Sequence, residues 1–399
     1  MHSLSLFFGL LASITSSLAA PAPPSAPLYK YDGPVNQGGY IVKLVDGADK
    51  VSVLSLVGDI ILGHDWDPKF FNGFAANLDE DAVNALLLSP NVEYVAENGI
   101  MAAFDVQTDA SWNLARVSTR AKLSNQDPFA LTYEYKYNCD PGEGIDIYVV
   151  DTGILVEHPD FEGRAKWGGA FCDGCAEADG NGHGTHVAGT AGGKRSGIAK
   201  NANLIAVKVL ADDGSGTLAG VMDGLQWVYF QHLENGGRPS IATMSLGGSN
   251  APTLDETVQQ LIKAGIHCTV AAGNSAVDAK DTSPANTPEA ITVGATDITD
   301  SMAWYSNYGS VVDVFAPGSN VTSTWNDGGY KTISGTSMAT PAVAGLVAYL
   351  LNIFGKATTP ATMSLLIQQL ATKNALSNIP EGTANLLAFN GYWSLGSQP

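Results

Sequence analysis

Residues 342–354 read AVAGLVAYLLNIF, apolar almost throughout, and a helix that is apolar all round has no face to give to water. Such a segment must lie at the centre of a fold that covers it on every side. Directly ahead stands Gly335-Thr336-Ser337-Met338-Ala339-Thr340-Pro341, which puts Ser337 in the first turn of that helix. A helix N-terminus offers free backbone N–H groups and a partial positive charge, where an oxygen that turns negative during reaction would be stabilised. Gly335 and Gly345 allow close backbone approach, and Pro341 suits the start of a helix better than its middle. Alone, a serine in this place is more often a helix cap than a nucleophile.

With 399 residues, 45% of them hydrophobic and 15% charged, the chain can build a large core across roughly two to three domains. Five short apolar runs, at residues 145–150, 204–210, 241–246, 266–272 and 291–295, read as strands buried on both faces. Helical segments fall between them at 185–192, 218–233 and 254–264. The alternation predicts an α/β domain with a mostly parallel sheet. Working groups in such sheets gather beyond the carboxyl ends of the strands, here Asp151, residues 210–215 and 245–248, and Gly273-Asn274. Further upstream, strands at 40–44 and 91–96, the second ending before Asn98-Gly99, flank a helix at 78–88 that begins near Asp79. These make a small α+β module. Residues 105–144 are polar and broken by Pro128 and Pro141, which predicts a strandless surface arm at a domain boundary.

The formal net charge is −19, with −7 up to Phe104 and −12 beyond it, which argues against nucleic acid or an anionic membrane surface as partner. Residues 4–18 form an apolar run too short to span a bilayer, followed by Ala19 and a Pro-rich stretch. With Ser17-Leu18-Ala19 as the cleavage site, residues 1–19 read as a secretory signal peptide. Export would put Cys139, Cys172, Cys175 and Cys268 in an oxidising compartment, where they permit two disulfides in any of three pairings. Cys268, inside the apolar run 266–272, reads equally well as a free buried thiol.

Asp151-Thr152-Gly153 puts a carboxylate at the end of the first buried strand. Aspartic proteases use the same tripeptide but need two carboxylates sharing a proton, and the chain has no second copy, since Asp281-Thr282-Ser283 lacks the glycine. Asn181-Gly182-His183-Gly184-Thr185-His186 sets a histidine between glycines at the mouth of a small-residue helix. Cys172, Cys175, His183 and His186 imitate a zinc pattern, but the spacing is tighter than that of a finger and exported cysteines oxidise. A lone histidine would be structural more often than not, but Asp151, His183 and Ser337 occur in that order, each in a glycine-lined motif, which changes the odds.

Together these motifs resemble those of subtilisin-like serine peptidases, specifically the proteinase K branch of fungal secreted enzymes. Residues 107–116 (QTDASWNLAR) resemble the mature start of that branch, and the upstream module its inhibitory propeptide. The resemblance implies a three-layer α/β fold, with helices on both faces of a mostly parallel sheet, preceded by a small α+β propeptide domain. It divides the chain into a signal peptide (1–19), a propeptide (20–104, with an inhibitor and folding module at 39–98) and a peptidase domain (105–399).

The implied roles are Ser337 as nucleophile, His183 as base, Asp151 as its orienting partner, and Asn274 as oxyanion donor beside the Ser337 N–H, with His186 only a helix residue. Gly214, Ser215 and Gly216, and Ser245, Leu246 and Gly247, would pair with an extended peptide on either side. An uncharged first pocket walled by Ser245, Leu246, Gly247, Ala271, Ala272 and Gly273, and a fourth near Leu218, would favour apolar or aromatic residues before the cut. Asp212 and Asp213 read as solvated. Self-cleavage by Ser337 between Phe104 and Asp105 would put Phe104 in the first pocket and Met101 in the fourth. The resemblance also implies structural calcium at Asp313 with the carbonyls of Pro288 and Ala290, and no redox or nucleotide cofactor. Asn320-Val321-Thr322 is a glycosylation sequon. The cysteine pattern departs from proteinase K, so its disulfides do not transfer. The expectation is thus a secreted, monomeric serine endopeptidase whose partners are protein substrates and its own propeptide, not nucleic acid or membrane.

Overall fold

A computed structural model describes residues 25–31, 35–58, 62–99, 104–138 and 141–392. The signal-peptide expectation, Met101 and Cys139 therefore lie outside the described residues. The chain forms two compact units, Met1–Ile100 and Met101–Pro399.

In the first unit, strand Val35–Leu44 pairs antiparallel with Gly73–Asn77 on one side and Val92–Gly99 on the other, at the centre of a five-stranded sheet. The helix Glu80–Leu87 is capped by Asp79, whose carboxylate accepts the Ala82 N–H at 2.8 Å. Its Val83 and Leu86 pack with Val42, Leu44, Phe74 and Val95 in a small core. The last strand runs on through Asn98-Gly99 instead of stopping before it, because backbone pairing to Val35 continues past the apolar residues.

The second unit is a nine-stranded sheet between two helix layers. From one edge the strands run Ala165–Ala170, Asn203–Lys208, Asp146–Asp151, Ser240–Met244, His267–Ala271, Ile291–Thr296, Val314–Pro317 and Leu386–Leu387, all parallel, closed by the antiparallel Thr372–Lys373. Both faces are covered, which is why the five central strands read as unbroken apolar runs. Asp146–Asp151 comes first in the chain, yet its neighbours are reached by connections running to opposite sides. Asp151 therefore ends a strand at the point where strand order reverses, the usual place for a site in such sheets.

Helices His183–Gly192 and Thr336–Phe354 lie on one face, and Leu218–Glu234 and Pro252–Lys263 pack on the other. The Thr336–Phe354 helix is long and apolar enough to cross a membrane, but it is buried from Met338 to Leu351. It crosses the His183 helix at Gly345, where a side-chain carbon would lie 2.5 Å from the Ala191 carbonyl oxygen. Only glycine permits that approach.

Of the expected surface arm, residues 119–132 are strandless and mostly exposed, but the segments on either side are built into the fold. Phe104–Ala110 pairs antiparallel with Tyr133–Asn138, and Trp112–Val117 forms a wholly buried helix. Arg116, 1% exposed, makes a two-pronged ion pair with Asp300, Nε to Oδ1 at 2.7 Å and Nη2 to Oδ2 at 3.1 Å. The polar strand residues mislead because their pairing uses backbone alone, and the arginine because its counter-charge comes from far along the chain.

Candidate active site

The Asp151 side chain is fully buried at its strand end. Its Oδ1 accepts the Thr152 N–H at 2.8 Å and the His183 Nδ1–H at 2.7 Å. A carboxylate only accepts, so the His183 proton sits on Nδ1 and Nε2 is left as a lone-pair acceptor. Burial lowers the His183 pKa, but the charge and hydrogen bond of Asp151 outweigh it and raise the value above the ordinary 6.5. The glycine after His183 makes the contact possible. A side-chain carbon at Gly184 would stand 2.1 Å from the Gly153 carbonyl oxygen and 3.2 Å from Asp151 Cβ.

Asp179, which the sequence reading did not single out, holds this corner together. Its carboxylate accepts from Thr152 Oγ1 (2.9 Å), Gly182 N (2.8 Å), Thr185 N (3.0 Å) and Thr185 Oγ1 (2.6 Å), tying the Asp151 turn to the start of the His183 helix. The available signal was an acidic residue just before a helix N-terminus. His186, one turn on, is buried. Its Nε2 faces the Val321 and Lys331 carbonyls, each at 3.0 Å, and burial lowers its pKa to about 4.

Ser337 stands in the first turn of its helix. Its hydroxyl donates to the Ser245 carbonyl at 3.3 Å, and no hydrogen bond to His183 is formed among the described residues. The Ser245 hydroxyl donates back to the Ser337 carbonyl at 2.9 Å. Asn274 Oδ1 accepts from Thr336 N (2.8 Å) and Thr336 Oγ1 (2.9 Å), which fixes the amide and leaves Nδ2 free to donate. A methyl on Gly335 would lie 3.5 Å from the Ser337 N and 3.6 Å from Asn274 Nδ2, so both donors border one small space.

Two clefts share residues 245–249. One, of about 640 Å³, is lined by His183, Gly214, Ser215, Gly216, Leu218, Ser245, Leu246 and Gly247. The other, of about 680 Å³, is lined by Ser245, Leu246, Gly247, Ala271, Gly273, Asn274, Thr336 and Ser337. Ala272, expected in the same wall, is fully buried and does not line the cleft, whereas Ala271 and Gly273 do. The second cleft is also not free of charge, since Asp278 and Asp281 line it. Asp212 and Asp213 are not merely solvated: Asp212 accepts from Lys208 Nζ at 2.8 Å and Asp213 from Ser215 N at 2.8 Å.

Cys172 and Cys175 are bridged and Cys268 is a free, buried thiol, which removes the thiolates that a zinc reading needs. Asp313 accepts the Thr292 N–H at 2.8 Å and Gln368 Nε2 at 3.3 Å, with no cationic partner among the described residues. Burial raises its pKa to about 6. A buried carboxylate short of counter-charge fits a hard cation, although no group of three or more potential metal-ligating side chains occurs among the described residues. Asn320 is half-buried, its N–H donating to Ser334 Oγ at 2.8 Å.

Comparison with known proteins shows the family. The subtilase family (peptidase S8) matches residues 142–389. A cuticle-degrading protease of Metarhizium anisopliae is 42% identical over 96% of this chain and 98% of its own length. Subtilisin-like protease 8 of Arthroderma otae is 44% identical, over 80% of this chain and 69% of its own. Among solved structures, a cold adapted subtilisin-like serine proteinase is similar with a TM-score of 0.64 and 45% identity, covering 71% of this chain and 98% of that one. The resemblance in the motifs thus extends to the fold and to the whole peptidase region, and the chain belongs to the subtilase family as a serine endopeptidase.

Proposed function

We propose that Ser337, His183 and Asp151 carry the reaction as one proton relay. Ser337 Oγ attacks the scissile carbonyl carbon while its proton passes to His183 Nε2. Collapse of the tetrahedral adduct breaks the C–N bond, and His183 returns the proton to the departing amine. Water then repeats the sequence on the acyl-enzyme. Asp151 keeps the ring in the Nδ1–H form and stabilises the imidazolium, and the Ser337 N–H with Asn274 Nδ2 meets the charge on the adduct oxygen. The observation that carries this is the 2.7 Å bond from His183 Nδ1 to a fully buried carboxylate, which leaves Nε2 as the base. To react, the Ser337 hydroxyl turns from Ser245 O toward the imidazole. Labelling with a fluorophosphonate followed by peptide mapping tests the assignment: a single adduct on Ser337 is expected, and an unlabelled, correctly matured protein would overturn it.

An extended peptide lies between residues 214–216 and 245–247, with an apolar or aromatic residue before the cut, Ala271 and Gly273 in its pocket wall, and Leu218 at a further subsite. Asp278 and Asp281 favour a second reading, in which a basic residue is also accepted there. Paired peptides with Phe or Arg ahead of the cut separate the two by kcat/KM. The protein is made with a signal peptide (1–19) and a prosegment (20–104) that inhibits the monomeric, secreted peptidase (105–399) until Ser337 cuts between Phe104 and Asp105. In the uncut chain Asp105 pairs with Tyr137, so those residues must leave that ladder to be cut. Asp313 with the Pro288 and Ala290 carbonyls holds calcium, and Asn320 is the glycosylation site.

A further inference from the structure

We propose that Asp212 is a positioning residue that couples the substrate-pairing edge to Asp151 and His183; the proposal rests on the reading of the site given above. Lys208 ends its strand directly opposite Asp151, and its side chain is 1% exposed. Its ammonium donates to the Thr152 carbonyl at 2.7 Å and to Asp212 Oδ1 at 2.8 Å. The same Oδ1 accepts the Gly180 N–H at 3.2 Å, and the Asp212 carbonyl accepts Asn181 Nδ2 at 2.9 Å. Asn181 Oδ1 in turn accepts the His183 N–H at 3.2 Å. One residue is therefore linked through Lys208 to the turn that presents Asp151, and is bonded directly to the loop that opens the His183 helix.

That residue also belongs to the hairpin that ends in the pairing edge. Val209 N and Leu210 N donate to the Asp151 carbonyl, and Ala211 N to Ser215 O at 2.8 Å, immediately beside Gly214 and Gly216. Gly180 has a reason to be glycine here, because a side-chain carbon on it would stand 2.2 Å from Asp212 Oδ2. Asp213 differs: its carboxylate accepts from Ser215, N at 2.8 Å and Oγ at 2.7 Å, within the same loop. Without Asp212 the buried Lys208 would keep the Thr152 carbonyl but lose its tie to the hairpin, so the turn would no longer respond to a peptide bound along residues 214–216. A peptide that pairs along residues 214–216 stiffens the hairpin, and through Asp212 it fixes the two groups that handle the proton. Remote binding then appears as kcat, not only as KM.

The test compares substrates with one and with four residues on the acyl side. Asp212→Asn, nearly isosteric, and Gly180→Ala, which pushes the carboxylate off Gly180 N, are each expected to lower kcat on the four-residue substrate about tenfold, to leave kcat on the one-residue substrate within about twofold, and to change KM little. Asp212→Glu should restore part of the loss. Unchanged length dependence in both variants, or an equal loss on both substrates, would overturn the coupling while leaving the site intact if Ser337 is still labelled by fluorophosphonate. An unlabelled wild-type Ser337 would bring down both the site and the coupling built on it.

Discussion

Ser337 precedes Pro341 by four residues, and that spacing leaves its carbonyl without a helical partner. Residue 341 would normally donate its N–H to the oxygen of residue 337, and proline has none. The Ser245 hydroxyl takes the place of that N–H at 2.9 Å, so a strand end and a helix start are joined through the Ser337 backbone. Ser245→Ala removes the donor and strands a part-buried carbonyl. The expected cost is about 1–2 kcal/mol, the lower part of the range for an orphaned acceptor. Pro341→Ala supplies the missing N–H, so in that background Ser245→Ala should cost about 0.5–1 kcal/mol less. The assay is thermal unfolding at one fixed scan rate in a Ser337→Ala background, which prevents self-digestion. With Tm moving about 2–4 °C per kcal/mol for a domain of this class, Ser245→Ala should lower it by about 2–8 °C, and the pair by less than the sum. Strictly additive shifts would refute the idea that Ser245 compensates for the proline.

Asn274→Ala should cut kcat by about 10²–10³ with KM nearly unchanged, a range taken from the equivalent donor in the related subtilisin; a loss confined to KM would contradict its role. Asp300→Ala leaves the buried Arg116 unpaired and should destabilise the peptidase unit by about 3–5 kcal/mol, read as a faster unfolding rate in denaturant, whereas an unchanged rate would contradict the burial argument. Asp313 has its folded pKa raised from 3.8 to about 6, so its contribution is fully present below 3.8 and is lost as pH rises through about 6. In chelator, Tm should therefore fall across that window, and added calcium should remove the fall; identical profiles with and without calcium would argue against a cation at Asp313.

Much of the peptidase unit is legible because its strands are buried on both faces and its helices lie between them, so apolar runs and helical periods alternate cleanly. Asp151, His183 and Ser337 stand out for the same reason, each at an element's end with glycine beside it. What the sequence hides depends on distant partners. The strand Phe104–Ala110 carries polar side chains because only its backbone pairs, and Arg116 looks like a surface residue until Asp300 arrives from 184 positions away. Asp179 has no pattern of its own until Thr152 and Thr185 are brought to it. Asp278 and Asp281 enter the second cleft from a loop whose path no periodicity marks.

The central claim, that three side chains act as one relay, is tested most directly by a double-mutant cycle on kcat/KM with Ser337→Ala, His183→Ala and the pair. A single relay predicts that either change alone abolishes nearly all catalysis by the site and that the double variant is no worse than the poorer single. Losses that multiply in the double variant would contradict it, because the hydroxyl and the imidazole would then be contributing independently.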